Sequence, residues 1–316
     1  MLSIGFINKG LNNNKEISII IVNYNVKDFL LQCLKSVYTE TNLSYNIEVI
    51  IIDNNSSDDS ISAVKKNFPQ AVIIENKINA GFPAANNQGF KVATGEFIFM
   101  LNPDTELVEN SLSLLKDYLE KNPDVAIVVP MLLNDDLSVQ RSIFRFPKIK
   151  YLLAEMFYLE SLARSKYYLK KNPHEISQVD SASGAALFFR RSLFEKTGML
   201  NENLFWIEDV DFCYRVYKSG GKVIYLPRAK VIHHSGKSAR TNYRVSVSNQ
   251  VINKIKFYKI HHSSFKLFLV YLLSVLNVSM RLIVFALLSP FHRVFFLKMK
   301  AYWYTIPLIF TATRRI

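Results

Sequence analysis

Polar and aromatic side chains stand at the points where four apolar runs of the sequence end. Each run is typical of a buried strand, and the residues that follow it offer a ligand a flat ring, amides and carboxylates. One such residue alone is more often part of a turn or a helix cap. The carboxyl ends of parallel strands, however, meet at one edge of a sheet, where open α/β sheets bind ligands. The residues concerned are Tyr24, Asp53, Asn76, Asn79 and Asp104.

Two common phosphate-binding loops are absent from the sequence. No G-x-G-x-x-G follows the first predicted strand, and no G-x-x-x-x-G-K-[ST] occurs anywhere. If the ligand is a nucleoside diphosphate, a metal ion must therefore neutralise its charge. Asp104 is a suitable hard oxygen ligand, because Mg²⁺ or Mn²⁺ needs only one or two protein carboxylates besides phosphate and water.

A second chemical centre is indicated by "FWIEDVDFCYRV", residues 205 to 216. A helix that begins near Glu208 would bring backbone N–H groups and the positive end of its dipole beside Glu208 and Asp209. From these residues alone, two ordinary first-turn carboxylates are the favoured interpretation. Asp211 and Arg215, four residues apart, predict an ion pair on one face of the helix.

The elements that must position these residues alternate between strand and helix. Apolar runs predict strands over 17–22, 47–53, 71–75, 96–101 and 125–130. Helical spacing follows each of the first four strands, and the fourth of these helices is predicted over 108–119. Residues 183–200 predict a further strand and a helix that Ser192 caps and Gly198 ends. This order predicts an α/β fold with a mostly parallel sheet flanked by helices.

Charge is divided unevenly along the chain, whose formal net charge is +13, because Asp211 is its last carboxylate. Residues 212–316 carry 18 of the 39 Lys and Arg residues. This predicts an anionic partner for the last third, either nucleic acid, anionic lipid or a phosphorylated ligand, with a solvated basic face as the alternative. Cys33 and Cys213 match neither a disulfide framework nor a zinc site, which fits a reducing cytoplasm.

The basic tail includes an apolar stretch, 267–288, in which Arg281 is the one charged residue. It is long enough for a hydrocarbon core of about 30 Å. An unpaired central Arg is costly there, so interfacial or re-entrant helices are an equally good interpretation. Cations among aromatic residues suit an anionic cytoplasmic leaflet, whereas no module typical of nucleic-acid recognition is present and we expect no nucleic acid partner. The alternative is an interface with the catalytic domain or with a second copy in a homo-oligomer. The N-terminus lacks a signal-peptide pattern.

Six segments together resemble inverting family 2 glycosyltransferases with the GT-A fold. They are "VNYN", "IIDNNSSDDS", "NAGFPAANNQG", "LNPDTE", "FWIEDVDFCYRV" and "HHSGKSA", in the order and at the spacing of the family. Within the family, "NAGF…NNQG" and "LNPD" are most similar to bacterial rhamnosyltransferases that use a deoxythymidine diphosphate sugar. The resemblance implies transfer of a hexose-type sugar from a dTDP or UDP sugar to a lipid-linked or cell-surface polysaccharide acceptor.

The resemblance also implies roles for the donor-binding residues. Tyr24 would stack on the donor's base, the alternative being that it packs under a loop, and Asp53 would hydrogen-bond the imide nitrogen. Asn102 replaces the first carboxylate of the family's D-x-D and takes a weaker donor or ribose contact, and Gly184 lies where the backbone approaches the donor sugar. The other predicted donor-binding residues are Asn79, Asn86, Lys237 and Arg240, the last two offsetting leaving-group charge.

For the chemical step, the resemblance implies that Asp209 deprotonates the acceptor hydroxyl. Glu208 would position the acceptor or support that base. Asp104 and His233 would hold Mg²⁺ or Mn²⁺, with His234 as the alternative to His233.

The predicted organisation is an N-terminal extension over 1–16, a catalytic domain over 17–250 and a basic, apolar, helical membrane-association region over 251–316. Within the catalytic domain, 17–130 would bind the nucleotide and 131–250 the acceptor. We expect the enzyme at the cytoplasmic face of the cell membrane, bound peripherally or through its C-terminal region. Two alternatives are a nucleotidyltransferase, whose basic, glycine-rich signature is missing from "VNYNVKDF", and a non-catalytic sugar-nucleotide or lipid binding protein.

Overall fold

The computed structural model describes residues 15–41, 46–156, 173–234 and 243–312. The predicted N-terminal extension, 1–16, lies almost entirely outside this part of the chain. The strands in the described part are β1 Ile17–Asn23, β2 Ile47–Asp53, β3 Val72–Glu75, β4 Phe97–Leu101, β5 Thr105–Leu107, β6 Val125–Leu133, β7 Ile143–Phe144, β8 Ser177–Val179, β9 Ser181–Ala182, β10 Ala186–Arg190 and β11 Lys222–His233. The helices are α1 Lys27–Thr41, α2 Ser60–Asn67, α3 Phe82–Val92, α4 Ser111–Lys121, α5 Ile149–Met156, α6 Leu193–Thr197, α7 Glu208–Lys218, α8 Tyr243–His261, α9 Ser264–Leu288 and α10 Arg293–Thr311.

The central sheet has the strand order β3-β2-β1-β4-β10-β6-β11-β5, with β8 paired on β11. The first four strands are parallel, and Ile19 of β1 lies opposite Val49 of β2 and Phe99 of β4. Strand β11 is parallel to β6, whereas β10, β5 and β8 run antiparallel to their neighbours. Strands β7 and β9 pair separately. The predicted mostly parallel α/β sheet is therefore confirmed.

Strand β1 shows why its sequence is a continuous apolar run. Ile19 and Ile21 pack on one face of the sheet with α1, α2 and α4, and Ile20 and Val22 pack on the other with α3, α7 and α8. A strand that is buried on both faces has no polar side to alternate with. The helices on both faces confirm the predicted layering.

The start of helix α4 differs from the prediction of a helix over 108–119. The helix begins at Ser111, and residues Thr105–Leu107 before it form the short strand β5 on β11. Asn110 then adopts a φ of 61°, and the Glu40 carboxylate accepts hydrogen bonds from the N–H groups of Asn110 and Leu112. A side chain of α1 thus supplies the cap of α4, which local sequence signals do not reveal.

Helix α6 lies where it was predicted. Ser192 precedes it, although the Ser192 side chain forms no capping hydrogen bond. Gly198 ends it with a φ of 68°, a conformation that glycine adopts without strain.

Three helices form the C-terminal part. Helix α8 packs on the catalytic layers, since Ile255 and Phe257 are fully buried and the Tyr258 hydroxyl donates to the Pro147 carbonyl over 3.1 Å. The predicted boundary after residue 250 falls within this helix. Helix α9 is the one helix of the described residues that is long and apolar enough to cross a bilayer. Helix α10 packs along both α8 and α9.

Candidate active site

The predicted edge of the sheet is formed by the adjacent ends of β3, β2, β1 and β4. At its centre, the Asn23 amide donates hydrogen bonds to Asp53 Oδ1 and Ser60 Oγ, both over 2.8 Å. The Ser56 N–H donates to Asp53 Oδ2 over 2.9 Å. These contacts fix the carboxylate of Asp53, which is 4% exposed. Asn23 reaches Asp53 because β1 pairs with β2. The motif that contains Asn23 therefore did not reveal this contact.

Tyr24 follows this network directly, and its side chain is 49% exposed. That exposure does not match a ring packed under a loop. The next residue, Asn25, has a φ of 53° and accepts a hydrogen bond from the Ser57 N–H over 2.7 Å. The turn that carries Tyr24 is therefore tied to the segment after β2, which leaves the ring at the edge of the site.

Two further residues that were predicted to bind the sugar donor lie around helix α3. Asn79 is exposed, and its Oδ1 accepts a hydrogen bond from the Gly81 N–H just before the helix. Asn86 is 1% exposed, and its Nδ2 donates to the Phe82 carbonyl over 3.0 Å. Its Oδ1 is buried without a hydrogen-bond partner among the described residues. The structure therefore places Asn79 at the surface of the edge and Asn86 within the packing of α3.

The neighbouring Asn87 has a role that sequence analysis missed. Its amide accepts a hydrogen bond from the Leu200 N–H over 3.0 Å and donates to the Leu200 carbonyl over 2.9 Å. Asn87 also donates to Glu202 Oε1 over 2.8 Å. The side chain thereby holds the segment that leads into α7, where Glu208 and Asp209 lie. The one signal for this role of Asn87 was a polar residue on a helix face that is otherwise buried.

The two predicted metal ligands come together although 129 positions separate them in the sequence. Asp104 Oδ1 lies 3.4 Å from His233 Nε2, and both side chains are largely buried. The Asn102 amide Nδ2 lies 3.5 Å from the same Nε2, and Asn102 Oδ1 has no partner among the described residues. The end of β4 and the end of β11 thus build one polar centre.

Gln140 orients His233 in this centre. Its Nε2 donates to the His233 carbonyl over 2.9 Å and to Asn134 Oδ1 over 3.0 Å, and neither of these oxygens can donate in return. Gln140 Oε1 must therefore face His233 Nδ1, 2.7 Å away, and accept its proton. When the imidazole is neutral, its lone pair is on Nε2 and faces Asp104.

This arrangement fits a divalent cation. Two ligand atoms of one Mg²⁺ or Mn²⁺ ion at about 2.1 Å lie about 3 Å apart, close to the distance between Asp104 Oδ1 and His233 Nε2. Burial works to raise the pKa of Asp104, but the hydrogen bond and charge that His233 can offer lower it below the usual range. No group of three or more His, Cys, Asp or Glu residues in the described ranges could hold a metal, so phosphate and water would complete the coordination.

His234, the alternative metal ligand, is engaged elsewhere. Its Nδ1 and Nε2 each lie 2.7 Å from a carboxylate oxygen, of Asp135 and Glu106 respectively. Its ring also stacks on Phe29 at 5.3 Å. Burial lowers the pKa of His234, but these two carboxylates outweigh burial and raise it. His233 is therefore the histidine that reaches Asp104.

Glu208 and Asp209 begin helix α7, as predicted. The Gly184 N–H donates to Asp209 Oδ2 over 2.9 Å, and the Val210 N–H donates to Asp209 Oδ1 over 2.7 Å. A Cβ atom on Gly184 would lie 3.2 Å from Met100 Cε, so a larger residue would require the Met100 side chain to shift by a few tenths of an ångström. Glu208 is 7% exposed, and its Oε2 lacks a partner within the described residues.

The two carboxyl groups differ in their electrostatic surroundings. Burial raises the pKa of Asp209, whereas the N–H groups of Gly184 and Val210 stabilise its charged form and limit the rise. Burial raises the pKa of Glu208, and the negative charge of Asp209 raises it further. Asp209 therefore loses its proton before Glu208 does, which is the order that a base beside a neutral carboxylic acid requires.

A short backbone segment joins the acidic pair to the metal-ligand pair. Gly184 contacts Asp209, and the carbonyl of the next residue, Ala185, accepts a hydrogen bond from the Asn102 N–H over 2.9 Å. A cavity of about 310 Å³ opens beside Asp209 on the other side, with Ser183 and Trp206 in its wall. The site thus combines two candidate metal ligands, two buried carboxyl groups and a half-open cavity. Lys237 and Arg240, the remaining predicted donor-binding residues, lie outside the described residues.

The buried ion pair of α7 extends to α8. Arg215 Nε lies 2.9 Å from Asp211 Oδ2, which confirms the predicted pair. Asp211 is fully buried, however, and its Oδ1 lies 2.6 Å from His261 Nε2. The pair is therefore an internal link between two helices and not the surface pair that helical spacing suggested.

Comparison with known proteins yields one family. Residues 18–198 match the family model described as "Glycosyl transferase family 2". The chain is 24% identical over 208 residues to N-acetylglucosaminyl-diphospho-decaprenol L-rhamnosyltransferase of Mycobacterium tuberculosis, covering 61% of this chain and 68% of the relative. It is 23% identical over 243 residues to the glycosyltransferase GlyG of Streptococcus pneumoniae serotype 4, covering 75% and 77%.

Solved structures share the fold. GalNAc-T7 with UDP, GalNAc and Mn²⁺ superimposes with a TM-score of 0.53 at 19% identity, over 78% of this chain and 50% of that one. S. aureus TarS superimposes with a TM-score of 0.51 at 16% identity, over 75% of this chain and 40% of that one. The family model confirms the predicted family resemblance, and the solved structures confirm the GT-A fold.

Proposed function

The chain belongs to glycosyl transferase family 2, and from that premise we propose that it is an inverting enzyme that transfers a sugar from a nucleoside diphosphate to an acceptor hydroxyl. One observation carries the proposal. Asp209 borders a half-open cavity and accepts a hydrogen bond from the Gly184 N–H. The next residue, Ala185, accepts a hydrogen bond from the Asn102 N–H, so a short backbone segment links Asp209 to Asn102. This arrangement supports the proposal of a base that lies between the acceptor and the donor's diphosphate.

In the proposed reaction, Asp209 takes the proton of the acceptor hydroxyl as that oxygen attacks the anomeric carbon. The new bond forms on the face opposite the bond to the diphosphate. That bond breaks, and the diphosphate leaves with the electron pair, so the configuration inverts. A divalent ion held by Asp104 and His233 would neutralise the charge of the leaving diphosphate. Lys237 and Arg240 are proposed to add positive charge to the same group.

The proposed donor is a dTDP or UDP sugar. The exposed ring of Tyr24 would stack on the base. Asp53, fixed by Asn23 and Ser56, would accept the imide N–H that thymine and uracil share. Asn79, Asn86, Asn102 and Gly184 complete the proposed donor contacts. The rhamnose assignment rests on the motif style and on the M. tuberculosis relative, which is named as an L-rhamnosyltransferase.

The proposed acceptor is lipid-linked or part of a cell-surface polysaccharide. The M. tuberculosis relative is named for a diphospho-decaprenol substrate, and a Bacillus spizizenii relative, 32% identical over 111 residues, is named as a poly(ribitol-phosphate) beta-glucosyltransferase. That match covers 34% of this chain and 18% of the relative. We place the enzyme at the cytoplasmic face of the membrane, bound through α9 and the basic tail, with a homo-oligomer as the alternative use of that surface.

The proposal is tested by incubating the full chain and a panel of sugar nucleotides with Mn²⁺ and measuring the release of nucleoside diphosphate. One donor should be cleaved, and Asp209→Asn should reduce turnover by a factor of about 100 or more, the usual effect of losing a general base. Donor affinity in calorimetry should stay near the wild-type value. Turnover near wild type in Asp209→Asn removes that residue from the base role. Donor binding without release under any acceptor condition favours the non-catalytic alternative.

A further inference from the structure

The cavity beside Asp209 has an unusual distribution of charge. Its described lining includes three cationic residues, Arg145, Lys148 and Lys254, and Asp209 is the one acid among them. The rest of the wall is largely apolar and aromatic, with Phe146 and Trp206 as examples. A neutral sugar needs ring stacking and neutral hydrogen bonds, and it gives no reason for three cations around a single base.

Arg145 provides a second, independent observation. Its Nη1 donates to the Tyr151 hydroxyl over 3.0 Å, but its Nε is buried and has no hydrogen-bond partner in the described part of the chain. A buried charged donor that lacks an acceptor is costly, so such a group is expected to meet one in the functional complex. Guanidinium groups are well suited to phosphate oxygens, which they bind through paired N–H groups.

The cavity also continues towards the C-terminal helices. A second cavity of about 160 Å³ shares three lining residues with the first, namely Leu152, Gln250 and Lys254. Its other walls come from α8, α9 and α10 and include the polar Ser274, Asn277 and Arg281 beside Val251 and Val278. Lys254 therefore borders both cavities, between the one beside Asp209 and the one at helix α9.

Trp206 is part of the wall of the first cavity. It adopts a φ of 76°, a conformation that is rare for a bulky residue, and its side chain is 39% exposed. Strain of this kind is retained where the surrounding structure imposes it, and it is common at binding sites. The ring lies 6.3 Å from the Phe205 ring and lines the same cavity as Asp209.

We propose that the acceptor is a lipid-linked phosphate or diphosphate whose phosphate groups bind Arg145, Lys148 and Lys254. Its sugar hydroxyl would then lie at Asp209, and the start of its lipid chain would lie along the apolar wall that includes Phe146 and Trp206. This inference rests on the proposed function for the role of Asp209. It adds recognition of the acceptor's phosphate groups and the residues that bind them, at a place separate from the donor's diphosphate at Asp104.

The test is a binding measurement that needs no turnover. The chain has two tryptophans, so a Trp303→Phe background leaves Trp206 in the cavity wall as the fluorescent reporter. The probes are farnesyl diphosphate, farnesol and inorganic pyrophosphate, titrated in detergent with EDTA so that no metal-dependent donor site contributes. We expect farnesyl diphosphate to change the Trp206 emission and to bind at least tenfold more tightly than either of the other two probes.

Variants locate the phosphate site. Arg145→Gln, Lys148→Gln and Lys254→Gln should each weaken farnesyl diphosphate binding by about tenfold, the effect of one lost charge-assisted hydrogen bond. Lys218→Gln, an exposed cation of α7 outside the cavity, and Asp104→Ala should leave binding unchanged. Lys148 is exposed, so its variant tests the proposal even if Arg145→Gln fails to fold.

Three results would overturn the inference. They are equal affinity for farnesol and farnesyl diphosphate, equal affinity for pyrophosphate and farnesyl diphosphate, and cavity variants that bind like Lys218→Gln. The first excludes phosphate recognition and the second excludes the lipid. Release of nucleoside diphosphate by the same wild-type preparation shows that the transferase function stands when this inference fails.

Discussion

Gln140 illustrates how a residue outside every motif can decide the chemistry of one inside. Its amide cannot be turned around without placing an N–H group against His233 Nδ1 and an oxygen against the His233 carbonyl. The orientation of one side chain therefore fixes which imidazole nitrogen carries the proton. Hydrogen-bond partners of metal-binding histidines commonly have this function.

We expect Gln140→Leu to weaken Mn²⁺ binding by about 10- to 100-fold, the usual effect of losing such a partner. The leucine cannot accept the Nδ1 proton, so Nε2 is no longer kept as the free ligand atom. Mn²⁺ affinity is measured by electron paramagnetic resonance in the presence of UDP. Asp104→Ala should abolish this binding, and Gln178→Leu, an exposed control on β8, should not alter it. Wild-type affinity in Gln140→Leu would remove Gln140 from this role.

Glu208 gives a prediction that depends on stability and not on activity. Burial and the charge of Asp209 raise its pKa, so the folded protein favours protonated Glu208. A carboxyl of this kind stabilises the fold below its unfolded pKa of about 4.3, and that contribution is lost as pH rises through the folded value. Glutamine keeps the shape and removes the titration. Glu208→Gln should therefore raise Tm relative to wild type at about pH 9 by about 2 °C or more, with little change at about pH 5.

Differential scanning calorimetry at both pH values checks this difference. Glu195→Gln, an exposed carboxylate of α6, serves as the matched control and should show no such dependence on pH. An equal Tm change for Glu208→Gln at acidic and alkaline pH would show that Glu208 does not titrate as its surroundings indicate.

At the scale of elements, helix α8 links the catalytic layers to the tail. Its Phe257 is fully buried and packs edge-on against Tyr214 of α7 at 5.1 Å. His261 of α8 contacts the buried Asp211 of α7, and the Asn253 amide donates to the Phe205 carbonyl. Phe205 precedes Glu208 by three positions, so α8 supports the segment that presents the acidic pair.

Phe257→Ala should lower the free energy of unfolding by about 3–5 kcal/mol, as expected for a fully buried Phe. Phe265→Ala, on a side chain of α9 that is 70% exposed, should change it by less than about 0.5 kcal/mol. Urea unfolding monitored by circular dichroism measures both. Equal small effects would mean that α8 is not part of the cooperative catalytic fold. A chain cut after Gln250 would lose the same contacts, so it is a poor tool for isolating the role of the tail.

The predictable part of this structure is the part that local patterns encode. Strand β2 occupies its predicted residues, and α7 begins at Glu208, because burial on both faces and first-turn acids leave direct signals in sequence. The contacts of Gln140 with His233 and of Asn87 with Leu200 span 93 and 113 positions. They follow from how β6, β11 and α3 pack, which no local spacing contains. Strand β5 was missed for the same reason, since its partner is β11.

At the scale of the whole molecule, helix α9 has two apolar faces. Val270, Val278 and Phe285 are buried against the neighbouring helices. The opposite face exposes large apolar side chains at helical spacing, namely Phe265, Phe268, Leu272, Leu276, Ile283 and Leu287. Arg281, the charge that argued against a simple span, donates to Asn277 Oδ1 over 2.8 Å and lines the cavity between the helices. The exposed stripe is therefore uncharged, and the last third of the chain around it is strongly basic.

The exposed stripe of α9 leads to the prediction that separates a membrane enzyme from a soluble oligomer. Leu276→Glu and Ile283→Glu together should reduce flotation of the full chain with anionic liposomes by at least tenfold, because acyl burial of the stripe would then require burial of two carboxylates. Both side chains are exposed, at 44% and 61%, so the fold should survive. Val92→Glu, an exposed position on α3, is the control and should float like wild type. If the double variant floats unchanged, or if wild type binds neither anionic nor neutral vesicles, the membrane interpretation is wrong. Conversion of a wild-type dimer to a monomer by the same double variant, seen in sedimentation, would then identify the stripe as an interface between two copies.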